Sequence, residues 1–148
     1  MTAVAVVALD HLTKWLVVSH LTLGQAVALS GIVSIRYVEN SGAAFSLLPQ
    51  FHYLYLVVAV IVCAYIVFFG HRLGGRLWQQ AILGVILGGA LSNGIDRLVA
   101  GYVVDFIDFH FWPVFNVADI GIVLGTIVAI FTFRLAPSDA KASSDTAA

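Results

Sequence analysis

The sequence predicts an all-α integral membrane protein with four membrane-spanning helices and a small β-rich segment on its outer face. Hydrophobic residues make up 61% of the 148 residues and charged residues only 10%, whereas soluble domains are about 45–50% apolar and roughly 25% charged. Four stretches approach the length of about 20 mostly apolar residues that a membrane-spanning helix needs. One long segment between the first two of them is mixed in polarity and contains a β-branched run.

The charge balance and the cysteine content exclude several classes of protein. The formal net charge is −1 at pH 7, so no basic surface is available for phosphates, and we expect no nucleic-acid partner. Cys63 is the single cysteine, which excludes an internal disulfide and a site of clustered thiolates. We predict no metal and no cofactor, and we expect membrane lipids to surround the chain.

The first predicted span covers residues 2–21 and contains two charges, Asp10 and Lys14. It lacks the basic N-terminal region of a cleavable signal peptide, and Asp10 interrupts its apolar run, so it is interpreted as a retained helix. Because Asp10 and Lys14 are four residues apart, they can pair on one helical face. Structural pairing and direct function both fit this spacing.

The other three spans are predicted at residues 53–69, 77–95 and 115–133. The first two carry no charge, whereas the last contains Asp119. Residues 120–133 are too short to cross a bilayer alone, so a fourth span has to take Asp119 into the membrane region. The alternative is that this last segment is re-entrant.

The segment at residues 22–51 carries the β-rich prediction. Ile32–Val38 combines β-branched and aromatic residues with partial alternation, which indicates a short strand or hairpin at the outer membrane surface. Pro49 is expected to end this region before the second span. No linker or repeat divides the chain, so we predict one domain over residues 1–136 and a disordered cytoplasmic tail at 137–148.

Loop charges predict the orientation of the chain. Cytoplasmic loops carry the excess of Lys and Arg. Arg72 and Arg76 lie between spans two and three, and Arg134 and Lys141 lie in the tail. Only Arg36 and Arg97 lie on the opposite side. We therefore expect both termini in the cytoplasm.

With this orientation, polar residues gather at one level near the outer leaflet. A charge near the bilayer centre costs roughly 2.5–3.5 kcal/mol on insertion scales, so such residues are candidates for function. Asn93 and Asp96 share a helical face, as do Asn116 and Asp119, so both pairs can face a common cleft. The full set of candidates is Asp10, Lys14, Asn40, Asn93, Asp96, Arg97, Asp105, Asn116 and Asp119.

Structural alternatives stay open for some of these residues. Asp96 and Arg97 can simply cap and anchor a helix end, and that interpretation is favoured. Asp105 lies between two apolar pairs, an awkward place for a solvated loop carboxylate, and both interpretations stay open. Asp119 has no Lys or Arg within a helical turn, which favours function.

Asp105 and Asp119 together indicate a chemistry. Pro113 lies between them, and a connection returning from span three into span four can bring them together. Two aspartates around one water cannot both ionise easily at low dielectric, so the pair shares a proton. The ionised member can deprotonate the water while the other donates to a peptide carbonyl oxygen. This is amide hydrolysis without a nucleophilic side chain or a metal.

Other chemistry-bearing patterns are weaker. The sequence has no His-Glu-x-x-His zinc pair and no Gly-x-Ser-x-Gly elbow. Cys63 is interpreted as a small buried apolar residue, no histidine receives a role, and His11 is taken as a helix-surface residue. The Gly-x-x-x-Gly spacings at 84–88 and 121–125 predict close helix packing. Small residues at 42–44 suit either a ligand or tight packing.

Five stretches together resemble the prolipoprotein signal peptidase family, signal peptidase II. They occur in the family's order from the first span to the last: Asp10–Lys14, Asn40–Phe45, Gly88–Arg97, Val103–Ile107 and Phe115–Asp119. Each alone is weak, but the five cover nearly the whole chain except its tail. Ser92 stands where the family usually has glycine, and Gly94 where it often has a larger apolar residue. Both departures are expected to affect packing more than chemistry.

The resemblance implies an aspartyl endopeptidase of the bacterial inner membrane, with its site near the outer leaflet. Such an enzyme removes the signal peptide from a prolipoprotein, cutting just before a cysteine that carries a diacylglyceryl group. By motif match the catalytic pair is Asp105 and Asp119. The resemblance also implies inhibition by globomycin-type cyclic peptides, and we expect a monomer. The residues that would bind substrate or hold the pair are Asn40, Asn93, Asp96, Arg97, Asn116, Asp10 and Lys14.

Two other classes of function remain as alternatives. A proton-conducting transporter could use Asp10, Lys14 and Asp119 as a relay, although spans two and three offer no continuous polar path to the cytoplasm. A non-catalytic membrane scaffold could use the glycine-rich faces, but it gives no reason for aspartates at apolar positions.

Overall fold

A computed structural model of the chain describes residues 1–41, 52–73 and 75–133. Four helices and three strands follow one another along the chain. In order they are α1 (Thr2–His20), β1 (Ala26–Ala28), β2 (Ser34–Asn40), α2 (His52–Leu73), α3 (Leu77–Val99), β3 (Val103–Asp108) and α4 (Val117–Phe133). The predictions for residues 42–44, for Pro49 and for the tail lie outside the described residues.

Among the described residues, three helices are long and apolar enough to cross a membrane. They are α1, most of α2 from Leu54, and the whole of α3. The shorter apolar helix α4 has 17 residues, or roughly 26 Å at 1.5 Å per residue, against a hydrocarbon core of about 30 Å. Three predicted spans therefore agree with the structure in length and composition, and a fourth crossing through α4 stays a prediction.

Helix α3 is the centre of the bundle, because α1, α2 and α4 all pack against it. Glycines make this packing close. A Cβ added at Gly88 would lie 2.6 Å from the carbonyl oxygen of Ala3 on α1, and one at Gly89 would lie 2.5 Å from that of Ala118 on α4. A Cβ at Gly125 would lie 2.7 Å from Ile86. The predicted packing role of the glycine spacings is confirmed.

The three strands form one antiparallel sheet in the order β1-β2-β3. Ser34 lies opposite Asp108, and Asn40 lies opposite Val103, with a register shift between Ile35 and Val38. Strands β1 and β2 fall inside the predicted β-rich segment. The third strand does not, because it comes from the connection between α3 and α4 that the sequence analysis treats as a loop.

The helix boundaries also differ from the predicted ones. Helix α3 continues to Val99, so Asp96 and Arg97 belong to its last turn. Helix α2 continues to Leu73, which places Arg72 on a helix instead of in a loop. Helix α4 begins at Val117, one residue after Asn116.

A small apolar core fixes the sheet to the helices. Val17 of α1, Tyr37 of β2 and Phe106 of β3 are buried against one another. Strands β2 and β3 also carry Asn40 and Asp105, so the packing of this core fixes the position of both side chains relative to α1. The sheet is therefore a rigid extension of the helical bundle at the end of α1.

Candidate active site

Asp105 lies near the middle of β3 and is only 2% exposed. Two amide side chains hold its carboxyl group, one on each oxygen. Asn40 Nδ2 donates to Oδ2 at 2.8 Å, and Asn116 Nδ2 donates to Oδ1 at 2.7 Å. The neighbouring strand and the start of α4 therefore fix this side chain from two sides.

Asp119 lies in the first turn of α4 and forms a reciprocal cap with Asn116. The backbone N–H of Asp119 donates to Asn116 Oδ1 at 2.9 Å, and the N–H of Asn116 donates to Asp119 Oδ2 at 3.2 Å. This is a capping box, in which the residue before the helix and the third helical residue satisfy each other's backbone donors. Asp119 therefore has a structural role at this helix end besides any role in chemistry.

Asn93 of α3 joins the two acidic side chains into one network. Its Nδ2 donates to Asp119 Oδ1 at 2.8 Å, and its Oδ1 accepts from Asn116 Nδ2 at 3.2 Å. Asn116 Nδ2 also reaches Asp105. Two asparagines thus connect Asp105 to Asp119, and neither carboxyl group can rotate without breaking several hydrogen bonds.

Both aspartates line one cavity of about 430 Å³. Its polar end also contains Asn40, Asn93 and Arg97. The remaining wall is almost entirely apolar and comes from α2, α3, α4 and the segment before α4: Tyr55, Val58, Ala59, Val62, Ala90, Trp112, Pro113, Val114, Phe115, Ile122 and Val123. The cavity therefore offers two carboxyl groups at one end of a mostly hydrophobic surface.

The environment of Asp105 changes its protonation. Burial raises the pKa of Asp105 to about 6, and the charge of Asp119 acts in the same direction. The hydrogen bonds from Asn40 and Asn116 and the charge of Lys14 oppose this shift. The negative charge of Asp119 therefore makes ionisation of Asp105 less favourable.

Lys14 forms ion pairs with two carboxylates beside this network. Its Nζ lies 2.5 Å from Asp10 Oδ2 and 2.6 Å from Asp96 Oδ2. It also donates to Asn93 Oδ1 at 3.0 Å. The predicted pairing of Asp10 with Lys14 is confirmed, and Lys14 additionally holds the asparagine that contacts Asp119.

Arg97 lines the same cavity from the last turn of α3. Its Nη1 donates to the backbone oxygen of Asn93 at 3.1 Å, and its guanidinium lies 5.3 Å from the centre of the Tyr55 ring. Its buried Nε has no hydrogen-bond partner among the described residues. Arg97 therefore does more than anchor a helix end, because it brings a positive charge to the cavity wall.

No group of three or more His, Cys, Asp or Glu side chains within the described ranges could hold a metal ion. Cys63 lies on α2 in an apolar groove against α3, whose lining includes Ala90 and Leu98. This placement agrees with its interpretation as an apolar residue.

Comparison with known proteins identifies the family. The family model described as signal peptidase (SPase) II matches residues 2–135. The chain belongs to the signal peptidase II family. It is an aspartic endopeptidase of the signal peptidase II type.

Relatives and solved structures agree with this membership. A lipoprotein signal peptidase from Nostoc punctiforme is 46% identical over 138 residues, which cover 88% of this chain and 85% of the relative. One from Halothermothrix orenii is 38% identical over 126 residues, covering 84% of this chain and 87% of the relative. A bacterial membrane enzyme solved at 1.9 Å is 29% identical, with a TM-score of 0.80 over 93% of this chain and 92% of its own. These likenesses support a multi-pass membrane protein.

All nine candidate residues of the sequence analysis lie in or beside one network in this signal peptidase II chain. Asp105, Asp119, Asn40, Asn93 and Arg97 line the cavity. Asn116 bonds to Asp105 and caps α4. The other three, Asp10, Lys14 and Asp96, form the ion pairs behind Asn93.

Two further residues of the network were missed by the sequence analysis. Ser92 is predicted to affect local packing; it is fully buried, and its hydroxyl also donates to Asp10 Oδ2 at 2.7 Å. His11 is predicted to be a helix-surface residue, and its side chain is 40% exposed. Its Nδ1 nevertheless lies 2.8 Å from Ser92 Oγ, and its Nε2 lies 3.7 Å from Asp96 Oδ1. The local sequence around His11 does not indicate these contacts, because they join α1 to α3, which are far apart in the sequence.

Proposed function

We propose that this chain removes the signal peptide from diacylglyceryl-modified prolipoproteins, cleaving before the lipidated cysteine, with Asp105 and Asp119 activating a water. The single observation that carries the proposal is the cavity in which two hydrogen-bonded aspartates, the buried Asp105 and the partly buried Asp119, face apolar walls. Membership of the signal peptidase II family supports the substrate class.

The chemistry follows from one proton shared by the two carboxyl groups. In the reactive state Asp105 carries this proton, and Asp119 is the ionised base. Asp119 removes a proton from water while the resulting hydroxide attacks the peptide carbonyl carbon, and Asp105 donates its proton to the carbonyl oxygen. Collapse of the tetrahedral intermediate then breaks the C–N bond, and the leaving amine takes a proton from the pair.

The surrounding polar residues hold this arrangement. Asn40 and Asn116 orient the carboxyl group of Asp105, and Asn93 orients that of Asp119. Arg97 lies where its positive charge can stabilise the negative charge that develops on the carbonyl oxygen. Lys14, with Asp10 and Asp96, fixes Asn93 behind the cavity.

The apolar wall suits a substrate that is itself in the bilayer. A signal peptide's apolar core and the acyl chains of the lipidated cysteine can bury methylene groups against α2 and α4, each worth about 0.8 kcal/mol. We place the cavity near the outer leaflet of the bacterial inner membrane, with four spans, both termini in the cytoplasm and the chain acting as a monomer. A globomycin-type cyclic peptide would occupy the same cavity.

A gel-shift assay with a lipid-modified prolipoprotein in detergent tests the proposal. The chain should cleave the lipid-modified precursor and leave the unmodified precursor intact. Asp105→Asn and Asp119→Asn should each lose about 1,000-fold or more in rate, because each removes one of the two proton-transfer groups. Cleavage at near-normal rates by either variant would remove that carboxyl group from the chemistry.

Asp108 offers a matched control on the same strand. It is buried like Asp105, but it accepts from the backbone N–H of His110 at 2.7 Å and is absent from the cavity lining. Asp108→Asn preserves an acceptor for that N–H, so this variant should cleave the precursor at a rate within about threefold of that of the native enzyme.

A proton-flux measurement in liposomes addresses the transporter alternative, and we expect no flux.

A further inference from the structure

Ser92 and His11 form a connected pair that the catalytic proposal does not use. Ser92 lies on α3, fully buried, and His11 lies on α1 with its ring partly exposed. Neither side chain lines the cavity that contains Asp105 and Asp119.

The hydrogen-bond geometry fixes where the protons lie. Asp10 receives donors from the Lys14 ammonium group and from the backbone N–H of Ala118, so its carboxyl group is an acceptor. Ser92 Oγ therefore directs its one proton to Asp10 Oδ2 at 2.7 Å. The hydroxyl can then only accept from His11, so His11 Nδ1 carries a proton and donates it at 2.8 Å.

These bonds lead directly to the start of α4. Asp10 Oδ1 accepts from the N–H of Ala118 at 2.8 Å, and Ala118 is the residue before Asp119. An acceptor at this place satisfies a backbone N–H that the helix itself leaves unpaired, and its negative charge is favoured at a helix N-terminus. The side chain of Asp10 therefore holds the turn that carries Asp119.

We propose that Ser92 and His11 are positioning residues for the reaction: through Asp10 and the N–H of Ala118 they set the place of Asp119. The inference rests on the proposed function. Ser92 holds one oxygen of Asp10 while the other oxygen binds α4, so the carboxylate plane is fixed between α3 and α4. His11 fixes the hydroxyl rotor of Ser92, and Asp96 Oδ1 faces the other ring nitrogen at 3.7 Å.

Kinetics of three variants on the lipid-modified prolipoprotein test this inference. His11→Leu and Ser92→Ala should each lower kcat about tenfold. Ser92→Ala removes a hydrogen bond to the charged Asp10, and His11→Leu removes the donor that orients the Ser92 hydroxyl, so both changes misplace the turn of Asp119. KM should stay within about twofold, because neither residue contacts the cavity. His11→Gln supplies an amide N–H in place of Nδ1–H and should restore kcat to within about twofold.

His20→Leu is the matched control on the same helix, because the His20 ring bonds the carbonyl oxygen of Leu16 on α1 itself. It should leave both constants unchanged. If Ser92→Ala fails to fold, the His11→Leu and His11→Gln pair decides the case, since that side chain is partly exposed.

Three results would overturn the inference: full kcat in both Ser92→Ala and His11→Leu, equal losses in His11→Leu and His11→Gln, or a loss that appears in KM. If the native enzyme does not cleave the lipid-modified prolipoprotein at all, the proposed function is overturned, and the positioning role falls with it.

Discussion

Asn116 Nδ2 donates to Asp105 Oδ1 at 2.7 Å, and this bond ties the sheet to the first turn of the last helix. The same asparagine caps α4 through its Oδ1. One side chain therefore performs two separable tasks, the initiation of a helix and the orientation of a carboxyl group on a strand.

Two substitutions at Asn116 should separate these tasks. Asn116→Ser keeps a cap for α4 but is too short to reach Asp105, whereas Asn116→Ala loses both contacts. We expect Ala to reduce the free energy of unfolding by about 1 kcal/mol relative to Ser, because a helix cap is worth roughly that amount. Both should reduce the cleavage rate about 100-fold or more, because Asp105 loses a donor that orients it.

Thermal unfolding in detergent and the gel-shift assay measure the two effects on the same preparations. The Asn116→Ser variant should unfold close to the native chain and still cleave poorly. Near-native cleavage by Asn116→Ser would show that the bond to Asp105 has no part in catalysis.

The stability of the chain should depend on pH through Asp105. In an unfolded chain this carboxyl group ionises near pH 3.8, whereas burial raises its pKa to about 6 in the folded chain. Between these values the unfolded state releases a proton that the folded state keeps, so the folded state loses stability as pH rises from about 4 to 6. Above pH 6 this loss stays constant.

Asp105→Asn removes this titration and should therefore become more stable than the native chain as pH rises. The difference in the free energy of unfolding should grow by up to about 3 kcal/mol between pH 4 and pH 7, since each pKa unit is worth about 1.4 kcal/mol. Thermal unfolding at both pH values measures it. A difference that stays constant, or that shrinks as pH rises, would contradict the raised pKa.

Substitution by alanine at two glycines of α3 should have different effects on the stability of the chain. A Cβ at Gly89 would lie 2.5 Å from the backbone oxygen of Ala118, so α4 has to move away. A Cβ at Gly94 would find its nearest neighbour, Ala59 Cβ, at 3.8 Å, which is an ordinary contact. Gly89→Ala should therefore destabilise the chain by about 1–3 kcal/mol and reduce cleavage, while Gly94→Ala should be neutral or slightly stabilising. Similar unfolding temperatures for both variants would show that α3 and α4 can separate without cost.

The helices and the candidate residues were predictable because their signals are local. Uncharged apolar runs predict the cores of α2 and α3, and i,i+4 spacing predicts the pair of Asp10 and Lys14. Polar residues at apolar positions in spans are costly, so their presence alone marked Asn93 and Asp119. These inferences need no knowledge of how distant segments meet.

Strand β3 and the role of Ser92 were not predictable in the same way. Val103–Asp108 forms a strand because β2 offers it a partner more than sixty positions earlier in the chain. Ser92 reaches Asp10 and His11 across two helices. The cap formed by Asn116 and Asp119 did have a local signal, because an Asn followed three residues later by an acid before an apolar run is typical of a helix start.

Helix α2 supplies one apolar wall of the cavity, yet it packs mainly against α3. Small residues such as Ala59 and Gly94 lie along that seam, so contacts of methyl size keep α2 close to α3. Bulkier side chains along the seam would push α2 outward and widen the cleft, while every residue of the hydrogen-bonded network keeps its identity. Tolerance for larger or smaller precursors can therefore evolve, or be engineered, without altering a single residue that handles protons.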